Sequence, residues 1–371
     1  MIYLNNAGTT WPKPEVVNKA IADFNRLTPD QWLAIFKEGQ EVITSCFGIE
    51  NSNRFLFTQS CTQSLAIAFS DFPWERGDRL IISTMEHHAL SRWYYKLQQE
   101  RGVEGVIIPR GEEGPIDVSV LEKELKKGAR MVAMSMASNV TGEVFPYEEI
   151  VRLSKYYGTK CLLDGAQTAG VLPINLSELD PDIFVFAGHK GPFGTQGIGG
   201  LYISEDVSMI CPSAACEIAK DEKSMTVFPT YCDTGSATMM TISGLTAGIK
   251  WIEQKGWDSI LLSRETLVKK MRKELSDIEG IEIVGAKNYD RVTGAVSIKS
   301  TSVSLEIIKD QLWSKYQVKG SHGFQCAPLA HEALGTSDYG TLRFSLGPFN
   351  TLDEVEILIE GLKEILKISK S

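Results

Sequence analysis

Short apolar stretches of three to six residues, bounded by small or polar ones, recur at 54–57, 79–83, 106–109, 131–136, 161–163, 183–186 and 200–203. Helical segments such as 120–127 and 147–157 separate them. This alternation predicts a mostly parallel sheet covered by helices on both faces. Past Gly244 the pattern changes to a long helical stretch through 275, strands near 281–284 and 293–298, and a closing amphipathic helix over 353–368. The second region reads as a smaller α+β unit.

Composition narrows the class. A chain of 371 residues, 43% hydrophobic and 23% charged, is long enough for two domains sharing one subunit. No stretch reaches the eighteen apolar residues of a membrane span, and the N-terminus lacks a basic region followed by an apolar run, so a cytoplasmic protein is expected. The net charge of -9 argues against a nucleic-acid partner, because phosphate binding needs a basic face. The seven cysteines are odd in number and irregularly spaced, as reduced thiols are. Cys211, Cys216 and Cys232 lack both a C-x-x-C pair and a nearby histidine, so no metal site is expected of them.

Two strand ends carry the chemistry. The run Asp182-Ile183-Phe184-Val185-Phe186 leads into Ala187-Gly188-His189-Lys190, and a glycine-rich stretch, 194–200, follows. Apolar surroundings hold a lysine as the neutral, nucleophilic amine, and glycines let backbone N–H groups approach a phosphate. Upstream, Cys161-Leu162-Leu163-Asp164 delivers a carboxylate at the end of another apolar stretch. In open α/β sheets ligands bind at such carboxyl ends. A carboxylate on one strand and a lysine on a later one suit pyridoxal phosphate (PLP), whose ring nitrogen needs an anionic partner while the lysine forms the Schiff base. The other reading of Lys190 is a surface lysine in a turn.

Five motifs in order extend this pattern: Phe57-Thr58-Gln59-Ser60-Cys61-Thr62-Gln63-Ser64, Met85-Glu86-His87-His88-Ala89, Ser138-Asn139-Val140-Thr141-Gly142, Asp164-Gly165-Ala166-Gln167 and the Lys190 segment. With them the chain resembles the class V aminotransferase family of PLP enzymes, and within it the cysteine desulfurases. The resemblance runs from Leu4-Asn5-Asn6-Ala7-Gly8 to Phe349-Asn350-Thr351. It implies PLP fold type I, an α/β fold whose large domain holds a mostly parallel central sheet, beside a smaller α+β C-terminal domain. The corresponding division is an N-terminal arm at 1–15 that returns to the small domain, a large domain at 16–250 and a small domain at 251–371.

Site residues follow from the same likeness. Thr62 and His189 are implied phosphate contacts, with the Cys61 and Thr62 N–H groups at the positive end of a helix over 63–69; the alternative is an ordinary helix cap. Ala187 stands where many relatives have a serine, which removes one hydroxyl contact. Ser236 matches the residue that reaches the partner subunit's cofactor phosphate, which implies a homodimer. His87 resembles the histidine that stacks on the pyridine ring and moves protons, tasks a planar group titrating near neutrality suits. Asn139 is implied at the phenolic oxygen or the substrate carboxylate, and Gln167 at the phenolic oxygen.

Reaction type turns on Gly323-Phe324-Gln325-Cys326-Ala327-Pro328. A cysteine in a glycine-flanked loop can swing over the cofactor and, as thiolate, attack the sulfur of a substrate cysteine; most lone cysteines are instead inert small hydrophobes. The position of Cys326 before Ala-Pro resembles the desulfurases' catalytic cysteine, in the short loop of group II. Arg343, in Thr341-Leu342-Arg343-Phe344-Ser345, resembles the arginine that grips the substrate carboxylate; a surface ion pair is the alternative. The chain departs from its relatives at Ser321 and Gln325, where they usually carry arginine and histidine, leaving Lys319 or His322 to compensate. The implied activity is conversion of L-cysteine to L-alanine with a persulfide on Cys326 for a sulfur-acceptor protein. Selenocysteine lyase activity on L-selenocysteine, another class V reaction (transamination, β-elimination or epimerisation) and a scaffold for a sulfur-transfer partner are the alternatives.

Overall fold

Alternate residues of the central strands bury on opposite faces. The computed structural model describes residues 1–112, 114–209, 238–285 and 291–368. Its strands are β1 (Ile2–Tyr3), β2 (Phe55–Thr58), β3 (Arg79–Ser83), β4 (Glu104–Ile108), β5 (Met131–Ser135), β6 (Lys160–Asp164), β7 (Ile183–Ala187), β8 (Gly199–Ile203), β9 (Ile281–Val284), β10 (Ala295–Ser300), β11 (Val318–Lys319), β12 (Ser321–Gly323) and β13 (Thr341–Ser345). In β7, Phe184 and Phe186 enter one hydrophobic cluster while Ile183, Val185 and Ala187 enter another. In β5, Val132 and Met134 likewise oppose Met131 and Ala133. Burial on both faces is why these strands read as continuous apolar runs rather than alternating ones.

The seven-stranded sheet has the order β2-β8-β7-β6-β5-β3-β4. Every neighbouring pair is parallel except those of β8, which runs antiparallel to both β7 and β2. The carboxyl ends of β3, β5, β6 and β7 therefore meet at one edge, where ligands of such sheets sit. The mostly parallel sheet and PLP fold type I read from the sequence are what the chain adopts.

A second, antiparallel sheet, β12-β13-β10-β9, has its own apolar cluster, built from residues such as Leu267, Met271, Val296, Phe344 and Leu362. Leu4 joins that cluster, and β1 pairs in parallel with β11, tying the first residues of the chain to its last third. One reading needs correction. The helical stretch through 275 is two helices, Met239–Lys255 and Trp257–Ser276, broken at Gly256. Gly256 takes φ 82°, a conformation that costs a residue with a β-carbon and stops a helix. Ser236, with Cys211, Cys216 and Cys232, lies outside the described residues.

Candidate active site

One cavity of about 360 Å³ is lined by Cys61, Thr62, His87, Asn139, Asp164, Gln167, His189, Lys190, Cys326 and Arg343. Residues read from seven separate stretches of the sequence thus face a single space at the carboxyl edge of the large sheet.

One end is built for an anion. The helix Cys61–Ser70 is capped by Ser60, whose hydroxyl accepts the Gln63 N–H. The first N–H groups of a helix have no acceptor within it, and no hydrogen bond among the described residues takes those of Cys61 and Thr62. Gly199 lets β8 press against this turn: a β-carbon there would lie 2.6 Å from Ser60 C and 2.9 Å from Cys61 N. His189 completes the end of the cavity, its Nδ1 3.1 Å from Thr9 Oγ1. Burial, with Lys190 and Lys13 adding to it, pushes its imidazole down to about 4. Lys13 donates to the His189 carbonyl at 2.8 Å.

Deeper in, Asp164 ends β6 and is 4% exposed. Its Oδ1 accepts the Ala166 N–H at 2.8 Å and the Cys61 thiol at 3.4 Å. Burial pushes this carboxyl up, against the pull of the Ala166 N–H and of Lys190. Lys190 follows β7 and makes no hydrogen bond or ion pair through Nζ among the described residues. Its amine opens to the cavity but is otherwise walled by protein, and that burial pushes its pKa down while Asp164 opposes the shift. The Cys61 thiol was not anticipated as an Asp164 partner; nothing in sequence spacing couples two residues 103 positions apart.

His87 caps the helix His88–Arg101, its Nδ1 accepting the Ala89 N–H at 3.1 Å. That bond leaves the proton on Nε2. Burial foremost, then Lys190, His88 and Arg343, push this imidazole down to about 3, so it is neutral. Behind it Glu86 is fully buried. Its oxygens accept Ser83 Oγ at 2.5 Å, Ser135 Oγ at 2.6 Å and the Ser135 N–H at 2.9 Å, yet burial lifts its carboxyl to about 7.

Arg343 projects from β13 with 4% exposure. Its Nη1 donates to the Asn139 carbonyl at 2.6 Å and its Nη2 to Asn5 Oδ1 at 3.0 Å, while Nε has no partner. No carboxylate pairs with it among the described residues, which removes the surface ion pair as a reading. Asn139 in turn gives its Nδ2 to the Gln325 carbonyl at 2.6 Å, and Gln167 gives its Nε2 to the Ala7 carbonyl at 3.1 Å. Both amides anchor protein segments as well as facing the cavity. Asn5, from the N-terminal segment, was missed because its role depends on a contact spanning 338 residues.

The cysteine loop is fastened rather than free to swing. Cys326 is exposed, carries a free thiol and has φ 58°; Gln325 has φ 42°. Gln325 supports this turn through its side chain: Nε2 donates to the carbonyls of Ser321 at 3.2 Å and Thr341 at 3.1 Å, and Oε1 accepts from Thr341 Oγ1 at 3.0 Å. His331 Nε2 lies 3.0 Å from the same Oε1, and its Nδ1 lies 2.7 Å from Thr336 Oγ1. The glutamine that replaces the usual histidine is therefore a clamp on the loop.

Residues 2–358 match the family described as Aminotransferase class-V. A probable cysteine desulfurase of Pyrococcus abyssi (strain GE5 / Orsay) is 27% identical over 404 residues, covering 100% of this chain and 96% of that protein. The apo structure of a cysteine desulfurase from Thermococcus onnurineus NA1 is 26% identical, with TM-score 0.90 over 99% of this chain and 94% of that one. A C-DES mutant with glycine covalently linked to its PLP cofactor has TM-score 0.84 at 19% identity over 98% of this chain and 96% of that one, a likeness of fold. With a mostly parallel central sheet, a carboxylate and a lysine arranged as its motifs imply, this chain belongs to the aminotransferase class-V family.

Proposed function

We propose that the protein is a PLP-dependent cysteine desulfurase that converts L-cysteine to L-alanine and takes the sulfur onto Cys326 as a persulfide. The observation that carries this reading is the single cavity walled by both Lys190 and Cys326.

The residues present fit the cofactor. The unclaimed Cys61 and Thr62 N–H groups at a helix start suit its phosphate, joined by the Thr62 hydroxyl and by the His189 imidazole beside them. Buried Asp164 lacks a full counter-charge and suits the protonated ring nitrogen, and the unbonded Lys190 amine suits the covalent attachment. Bound there, PLP supplies an electron sink that acidifies the amino acid's Cα and loosens the substituent on Cβ. His87, with its proton on Nε2, would hold the ring, Gln167 would contact the phenolic oxygen, and Asn139 would contact that oxygen or the substrate carboxylate. A homodimer is the assembly that the likeness to the family implies.

Arg343 binds the substrate carboxylate, its guanidinium held by Asn5 and Asn139. Lys190, as the free amine, carries the Cα proton. Cys326 Sγ attacks the substrate sulfur: the Cβ–S bond breaks, an S–S bond forms, and Cβ takes a proton. Cysteine plus enzyme thiol give alanine plus enzyme persulfide, with no outside oxidant or reductant. An acceptor protein in the cytoplasm then removes the sulfur. The protein purified with PLP is expected to be yellow, with a visible band that borohydride abolishes by fixing the cofactor to Lys190. A reduced adduct mapped to another lysine would overturn the assignment.

A further inference from the structure

Behind the wall formed by Lys190 and Gln167 lies a second, smaller cavity of about 30 Å³, lined also by Phe193, Ile260, Arg264 and Thr293. Arg264 sits within the helix Trp257–Ser276 and is only 3% exposed. One Nη2–H goes to the Val171 carbonyl, and Nε has no acceptor at all. No carboxylate lies within ion-pair distance of this guanidinium among the described residues. Its sequence neighbour Glu265 pairs with Lys269 Nζ at 3.6 Å and acts on Arg264 only through space, as a smaller influence than burial. Burial lowers the Arg264 pKa only to about 10, so the side chain carries its full charge at neutral pH.

A buried charge held by one carbonyl is short of a partner. Water would satisfy the N–H groups and leave the charge uncompensated in surroundings of low dielectric. The space holds two or three water-sized particles, at roughly 10–15 Å³ for each. That size excludes an amino acid or a phosphate ester. Phe193 and Ile260 make part of the wall apolar, which favours a weakly hydrated ion over a strongly hydrated one.

We infer that this cavity binds one monovalent inorganic anion of halide size on the Arg264 guanidinium. The ion completes the charge balance of the helix Trp257–Ser276 where it meets the segments bearing Val171 and Lys190. It is separate from the larger cavity, so the inference stands or falls independently of the desulfurase reading.

Bromide and chloride serve as probes on the PLP-loaded protein. Halide-free crystals soaked in sodium bromide are expected to show an anomalous peak on the Arg264 guanidinium, absent in Arg264→Gln. In solution, the melting temperature is expected to rise saturably with sodium chloride relative to sodium gluconate at matched ionic strength, and Arg264→Gln should lose that rise. No peak, or a protein carboxylate seated on Arg264, would overturn the inference. A peak without a saturable chloride effect would mean an adventitious ion only, and overturns it equally. Should Arg264→Gln not fold, the bromide position and the chloride titration of the native protein decide.

Discussion

The Cys326 carbonyl accepts the His88 N–H at 2.8 Å, which fastens the thiol-bearing loop to the first turn of the helix that His87 caps. The group that would attack sulfur and the imidazole that would lie on the cofactor are thereby held in one frame. Such a frame favours chemistry by fixed placement of the reacting groups.

Gln325 is the second fastening of that loop, and its removal takes away the side-chain bonds to the Ser321 and Thr341 carbonyls and to His331 Nε2. Gln325→Ala is expected to cost about 1–3 kcal/mol of stability, as buried polar groups left unsatisfied do. Alanine production should fall while the visible cofactor spectrum stays unchanged. Denaturant unfolding, the spectrum and turnover measured on one preparation check this; unchanged turnover with an intact fold would reduce Gln325 to a structural residue.

Arg343→Ala is expected to weaken L-cysteine binding by about 2–4 kcal/mol, because a buried charge pair with the substrate carboxylate is lost. The effect should appear chiefly in KM. Arg343→Lys should not restore it, since an ammonium cannot reproduce the planar fork held by Asn5 and Asn139.

Much of this site was legible because parallel strands buried on both faces end abruptly in polar residues. Asp164 closes a run of apolar residues, and Lys190 follows another, so their chemistry shows in the bare sequence. Arg343 and Cys326 needed the likeness to a family, since a strand arginine and a loop cysteine have bland readings of their own. What stayed hidden were contacts made only by folding. Asn5 reaches Arg343 from the far end of the chain, and the Gln325 clamp needs a left-handed turn at a non-glycine residue, which leaves no sequence mark. Arg264 reads as one more charge on an amphipathic helix; only packing shows it buried.

Glu86 makes stability depend on pH. Its carboxyl is lifted from 4.5 to about 7 by burial, so the folded state binds the proton more tightly than the unfolded chain. The stability this group contributes is fully present below the unfolded value and is lost as pH rises through the folded one. At about 1.4 kcal/mol per unit, the loss across this window is up to ~3 kcal/mol. Glu86→Gln should remove this component. Unfolding at pH 5 and pH 8 is expected to show a stability loss smaller in the variant than in the native protein, and equal losses would contradict the assignment.

Cys326→Ala is expected to keep the cofactor's visible spectrum and its change on adding L-cysteine, while most alanine production is lost. Retained L-selenocysteine turnover in the same variant would favour the lyase reaction, because a selenolate leaves without a thiolate to remove it.

The central claim is that substrate sulfur passes to Cys326, and peptide mass spectrometry after a single turnover with L-cysteine tests it most directly. The account predicts a mass gain of one sulfur atom on the Cys326 peptide, reversed by a thiol reductant, with alanine formed in equal amount. Pyruvate, ammonia and free sulfide with an unmodified Cys326 peptide would contradict it and assign the site to β-elimination.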